Sequence, residues 1–405
     1  MLGSRPSPRV LIALVFILAV SFLLLQNRPT VSSAISTPAD VWSSHKTTWE
    51  FTTARDADNL GLSEEQCLAA FPKLYTELDK SASLRKGDPI TFEDVNSRVM
   101  LEGMGRLLID QGQLFVVDYF ETPNQQTRAR ATLSAIQRAL VAFPDRHLLP
   151  TIEFFIDEND NPDQPEGRKV IWAYTKRDPF NAVWLMPDFG FWAWPEARIG
   201  SYGDARRRIA AGDTLSFEKK IPKLVWRGLP NAYQPRLDLI EQSKARNWSD
   251  VGIFIFGDET TEDKYLRIED HCRYMFMAHT EGASYSGRGK YLLNCRSVLI
   301  SHSLTWREIH HAAFIPDGPD ANYVEVATDF SDLPEKMEFL LSHPDIAERI
   351  ANNSAKTFRD RYMTPAAEAC YWREMIRRYA KVQGFKPEPR GISFEDWILT
   401  FRKDI

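Results

Sequence analysis

The stretch from Asp270 to Ile300 constrains this chain most. An apolar run, His271 to Ala278, feeds a loop of small residues, Glu281 to Lys290. A second run, Tyr291 to Leu293, leads to a strand-like Ser297 to Ser301, and a cysteine stands near each end, Cys272 and Cys295. A buried element, a tight loop and a helix start suit an anion: backbone N–H groups approach it where no side chain intervenes, and the helix offers its positive end. On that reading the amides of Gly282, Ala283, Ser284, Tyr285, Ser286 and Gly287 surround the anion, and Arg288 and Lys290 stand where a diphosphate needs neutralising. The loop is neither the P-loop consensus nor the dinucleotide fingerprint, and a glycine-rich turn with two solvated cations is its plainer reading.

At 405 residues the chain exceeds one ordinary core and suggests two domains with appendages. Its 43% hydrophobic content, with 24 Phe and 11 Trp, supplies core material, and a net charge of -5 argues against nucleic acid as a partner. Ser63 to Gln66 has capping-box form ahead of a short helix carrying Cys67. Leu133, Ile136, Leu140 and Phe143 fall at helical spacing within Thr127 to Phe143. Strand-like runs follow at Thr151 to Ile156, Val170 to Tyr174 and Val183 to Met186, then at Lys223 to Trp226, Val251 to Phe256, Val298 to Ser301 and Tyr323 to Val326. Helix and strand alternating predicts α/β layers. Residues 61–215 read as an N-terminal domain, 216–345 as a second, and 346–405 as C-terminal helices, Pro344 to Tyr362 and Pro365 to Val382, each with proline in its first turn.

Ahead of the globular part, Val10 to Leu25 is a 16-residue apolar run interrupted only by Ser21. It spans about 24 Å as a helix, tolerable for a thin early-secretory bilayer. Arg5 and Arg9 precede it without an acid, which predicts a cytosolic tail at 1–9, an uncleaved signal anchor at 10–25 and a lumenal body. A cleaved signal peptide is the competing reading. Residues 26–60 have the Ser/Thr/Pro composition of a stem. The sequons at Asn247 and Asn352 are glycosylatable only in the lumen, and four cysteines in an oxidising lumen permit three pairings.

Three further patterns bear on metal binding. Asp56-Ala57-Asp58 has D-x-D form but lies in a polar run beside the stem. Asp157 to Asp163 resembles a calcium loop until Pro162 stands where glycine is needed and Arg168 where the bidentate glutamate belongs. His310-His311 lacks metal-site spacing, so no metal is expected.

Asp270-His271-Cys272 followed by Gly282, Ser286, Arg288 and Cys295 resembles the centre of glycosyltransferase family 90, which holds the protein O-glucosyltransferases and fungal capsule-associated proteins. The resemblance extends upstream to Pro222 through Trp226-Arg227-Gly228, with Arg236 beyond. Downstream it takes in Asn322 to Val326, Asp329 to Leu333 and Ala369-Cys370-Tyr371-Trp372. It implies a GT-B fold, two Rossmann-like domains with a cleft between them and a C-terminal helix returning to the first. It further implies an inverting, metal-independent transferase moving a sugar from a UDP-sugar, xylose or glucose, to a glycan or glycoprotein at the Golgi or ER membrane. The family pattern selects the disulfides Cys272–Cys295 and Cys67–Cys370. Asp160 before Pro162 matches the family's catalytic Asp, although Asn161 replaces an aromatic residue and Asn159 an arginine, which leaves Asp157 as a rival base. Arg227, Arg236, Arg288 and the 282–287 loop would bind the donor, with Leu229 where a serine is usual. Phe191, Trp192 and Trp194 match the aromatic segment near the acceptor. A glycan-binding protein without turnover and a glycoside hydrolase are the alternatives.

Overall fold

The computed structural model describes residues 49–120, 126–162, 168–178, 182–231 and 233–400. The anchor run Val10 to Leu25 and most of the stem lie outside them; among the described residues no helix is long and apolar enough to cross a membrane. From Glu50 onward the chain forms one compact unit. The last part of the expected stem belongs to it, because Phe51 meets the Phe71 ring edge-on at 5.2 Å and the Leu60 carbonyl accepts from Arg373 at 2.7 Å.

The first sheet begins with a hairpin the sequence reading did not foresee. β1 (Met104–Asp110) and β2 (Gln113–Phe120) are joined by Gln111-Gly112, with φ of 48° and 71°. Two positive values are the mark of the type I′ turn, whose twist matches that of the strands. A methyl on Gly112 would stand 2.5 Å from the Arg146 carbonyl oxygen, so glycine is required there twice over. β3 (Ile152–Asp157) pairs antiparallel with β1 and parallel with β4 (Ile171–Ala173), which pairs with β5 (Trp184–Leu185). Every residue of β3 is buried, as a central strand covered on both faces must be. A short ribbon follows, β6 (Ala193–Trp194) against β7 (Gly200–Ser201).

The second sheet holds β8 (Ile221–Gly228), β9 (Ser249–Ile253), β10 (Tyr274–His279), β11 (Val298–His302) and β12 (Val324–Val326). It is wholly parallel, in the order β12-β11-β10-β8-β9. Rossmann-like halves contain such a wholly parallel sheet. The first half does not: its order is β13-β2-β1-β3-β4-β5, and the β1–β2 hairpin together with β13 (Ile392–Ser393) on the β2 edge makes it a mixed sheet.

The C-terminal helices divide between the sheets. Pro344–Thr357, assigned by sequence to the returning group, packs instead on the second sheet, where Ala347, Ile350 and Ala351 join Val298, Ile300 and Leu224 in one core. Pro365–Ala380 does return to the first. Tyr379 donates to the Glu153 carbonyl at 3.0 Å, Tyr371 to the Leu185 carbonyl at 2.7 Å, and Trp372 stacks on Trp172. The disulfide Cys67–Cys370 fastens this helix to Glu64–Ala70, and Cys272–Cys295 spans β10 and the loop after it. Both pairings are those the family pattern selected.

Candidate functional site

The parallel sheet dictates where a site can form. The chain leaves β8 on one side to build β9, then crosses back to place β10 on the other, so the connections from the C-terminal ends of β8 and β10 diverge. Ligands of open α/β sheets bind in the crevice at such a switch point. Here β8 ends in Arg227-Gly228 and β10 runs into the loop from Glu281 to Arg288, and a 360 Å³ cavity opens between them. Arg236, Arg288 and Ser286 line its polar side, with Phe254, Tyr265 and Trp194 on the apolar side.

Two guanidiniums dominate the polar side. Arg236 comes from helix Gln234–Ser243, whose Pro235 preorganises the first turn, and donates to the carbonyls of Leu229 (2.7 Å) and Glu281 (3.0 Å). Arg288 donates to the Arg227 carbonyl, and its Nε has no partner among the described residues. Neither has a carboxylate partner among the described residues. Burial and then the Arg236 charge push the Arg288 guanidinium down to about 9, and burial lowers Arg236 as well. Two half-buried cations facing one cavity without an anion are costly, and a bound anion relieves that cost. Buried Ser284 Oγ and His271 Nε2 also lack partners among the described residues. His271 donates from Nδ1 to the Arg267 carbonyl at 3.1 Å, and desolvation holds the ring down to about 3, so Nε2 offers a lone pair beside the cavity.

The other predicted donor residues fall differently. Arg227 lines the cavity, but its guanidinium is engaged by Asp250 at 2.8 Å. Lys290, expected to neutralise a diphosphate, is fully buried and paired with Asp188 at 2.6 Å. The helix after the loop is one turn, Gly289–Leu292, too short for its dipole to matter. The loop itself is held by Gly282 N–H to Ser284 carbonyl at 2.9 Å, and a methyl on Gly282 would come within 2.7 Å of Arg236 Nη2. Ala283 is exposed, while Ser284 and Ser286 are buried.

The Lys290–Asp188 pair joins this loop to the aromatic segment, and Tyr291 seals the junction by donating to the Gly190 carbonyl at 2.7 Å. Of the three expected acceptor aromatics only Trp194 lines the cavity. Phe191 is buried against Tyr202 with ring centroids 5.2 Å apart, and Trp192 carries the Arg138 guanidinium 4.7 Å above its ring.

The two rival carboxylates at the end of β3 separate clearly. Asp157 is 1% exposed; burial raises its carboxyl, and it accepts from Asn159 N at 3.0 Å and Nδ2 at 2.8 Å, closing its own turn. Asn159, where the family pattern has arginine, spends its amide on this bond and on the Glu102 carbonyl. Asp160 has its side chain 52% exposed, with one oxygen held by Arg128 at 2.9 Å. Its charge reaches the buried Tyr285 hydroxyl of the loop, which burial, Asp188, Asp160 and Glu308 together raise. Sequence reasoning passed over Arg128, and also Glu158, a fully buried carboxyl that burial raises far above its usual range and that accepts from Tyr119 at 3.0 Å.

Elsewhere, Asp56 is a buried structural residue bonded to Arg55 and the Thr52 amide. Glu308, His310 and His311 converge with donor atoms within 4.8 Å. The Glu308 amide donates to His311 Nδ1 at 3.2 Å, which puts the ring proton on Nε2, facing Glu308 Oε2 at 3.4 Å; a donor rather than a lone pair points inward. Asn247 is exposed just before β9. Asn352 lies mid-helix, accepts from Arg296 at 3.2 Å, and its sequon Ser354 is buried.

Residues 63–393 match the Glycosyl transferase family 90. Among curated proteins, the O-glucosyltransferase rumi homolog of Aedes aegypti is 26% identical over 263 residues, 59% of this chain and 63% of the relative. Protein O-glucosyltransferase 1 of Mus musculus is 24% identical over 257 residues (58% and 64%), and Protein O-glucosyltransferase 2 of Danio rerio is 22% identical over 342 (80% and 64%). The matched stretches thus span a little under two thirds of these relatives. The residues that build the cavity, from the end of β8 through the β10 loop, all lie inside the matched region, and the chain belongs to glycosyltransferase family 90.

Proposed function

We propose that this protein is an inverting glycosyltransferase that moves a sugar, glucose or xylose, from a UDP-sugar to a hydroxyl of a glycan or glycoprotein. The observation that carries the proposal is the pair Arg236 and Arg288, two guanidiniums at the switch point of a parallel sheet with no carboxylate partner among the described residues. They suit a diphosphate, whose developing charge on leaving they stabilise without a metal. The apolar wall of Phe254 and Tyr265 suits the flat face of a nucleobase. Asp160, exposed and within electrostatic reach of the same loop, is the base that takes the acceptor hydroxyl proton, and Trp194 bounds the acceptor side. The cleft of the GT-B arrangement then lies between the two sheets. Relatives named as O-glucosyltransferases support glucose as the first donor to try. A glycoside hydrolase requires two opposed carboxylates and has no use for two guanidiniums that face the cavity.

Two disulfides support an oxidising compartment, in keeping with a type II anchor at residues 10–25 and a lumenal body in the Golgi or ER. If the body is lumenal, exposed Asn247 carries glycan; endoglycosidase should then shift the membrane-derived protein on a gel, and Asn247→Gln should remove most of that shift.

The direct test is UDP release from a panel of UDP-sugars in EDTA, with and without acceptor glycoprotein. Release from UDP-glucose or UDP-xylose that persists in EDTA is the expected result. UDP binding without release from any donor would favour the glycan-binding alternative, and release only with added metal would overturn the metal-free mechanism. Gly282→Ala should raise the donor KM several-fold with kcat little changed, because its methyl displaces the Arg236 guanidinium. An unchanged KM would show that Arg236 does not hold the donor.

A further inference from the structure

Arg128 sits in the first turn of helix Gln126–Val141, where the positive end of the helix dipole disfavours a cation. Something must hold it there, and three contacts do. Its Nη1 donates to Asp160 Oδ1 at 2.9 Å and to the Glu158 carbonyl at 3.1 Å, while the guanidinium lies 4.8 Å above the Phe189 ring. Its charge also reaches the hydroxyl of Tyr285, in the loop that carries Arg288. Phe189 follows Asp188, the partner of Lys290. One guanidinium therefore touches the turn after β3, the carboxylate on that turn and the aromatic segment fastened to the donor loop.

We propose that Arg128 is the positioning residue for the base, a reading that rests on Asp160 having that role. Holding Oδ1 and the Glu158 carbonyl from one nitrogen fixes both the turn and the carboxylate rotamer. Oδ2 has no partner among the described residues and is left to accept the acceptor hydroxyl proton. In the reaction that proton passes to Oδ2 as the hydroxyl oxygen bonds the sugar carbon and the bond from that carbon to the diphosphate breaks. The other titratable groups facing the pair are Tyr285 from the loop, Tyr174 after β4, and Glu158 on the turn.

The test uses the full chain and UDP release from UDP-glucose or UDP-xylose, whichever the unaltered protein turns over faster, with water as acceptor. Arg128→Gln should lower kcat about ten- to a hundredfold, a share of what a general base supplies, and leave the donor KM unchanged. Arg128→Lys keeps a cationic donor but loses the planar fork and should recover part of the lost kcat. In an Asp160→Asn background, Arg128→Gln should cost almost nothing further. Near-normal kcat in Arg128→Gln, or a loss that adds fully to that of Asp160→Asn, would overturn the positioning role while leaving the base in place. A fully active Asp160→Asn would instead overturn the base assignment itself.

Discussion

Asp160→Asn is expected to lower sugar transfer by about a hundred- to ten-thousandfold, the contribution of a positioned general base, with UDP affinity unchanged. The carboxamide keeps the shape of the side chain and can still accept from Arg128, so the turn survives. What it loses is the ability to take a proton. The contrast with Asp157→Asn makes the result informative. Asp157 is buried, and its Oδ1 is occupied by the amide and side chain of Asn159, so its change should loosen the turn without abolishing chemistry. Initial rates of both variants decide. Loss only in Asp157→Asn moves the base three residues upstream, and normal rates in both would remove the general base from this turn.

Arg288→Ala should act on the donor instead. A charge-assisted hydrogen bond removed from a half-buried site costs about 1.5–3 kcal/mol, roughly ten- to a hundredfold in affinity. Its guanidinium touches the Arg227 carbonyl and lies over the Trp226 ring at 5.5 Å, so a truncation also leaves the end of β8 less supported. Arg288→Lys separates the two effects, since it keeps a charge and loses the planar fork. The donor KM should rise for both variants, more for alanine. A KM untouched in both would mean that the cavity does not take the diphosphate.

Much of this site was legible because its residues are ones whose chemistry is hard to satisfy in other ways. A glycine-dense loop between buried runs with an arginine at its end could be read directly, and so could the strand ending in Trp226-Arg227-Gly228. Lys290 could not be separated from Arg288 by sequence. The partner that buries it, Asp188, comes from a segment about a hundred residues away, and only the fold brings the two together. Arg128 was hidden for a related reason: in a helix with several arginines, sequence does not show which one faces a carboxylate on another element. The β1–β2 hairpin was legible in principle, since Gln111-Gly112 separates two apolar runs by two residues, the spacing of a type I′ turn. The helix Pro344–Thr357 was placed wrongly because its apolar stripe fits either sheet, and Ala347, Ile350 and Ala351 find their partners only on the second.

The central claim is that Arg236 and Arg288 form a metal-free site for the diphosphate of a UDP-sugar. Calorimetric titration of UDP into the full-length protein in EDTA tests it most directly. The account predicts saturable binding at one site per chain, greatly weakened in the Arg236→Ala/Arg288→Ala double variant. No binding without a divalent metal, or binding that the double variant leaves intact, would contradict it.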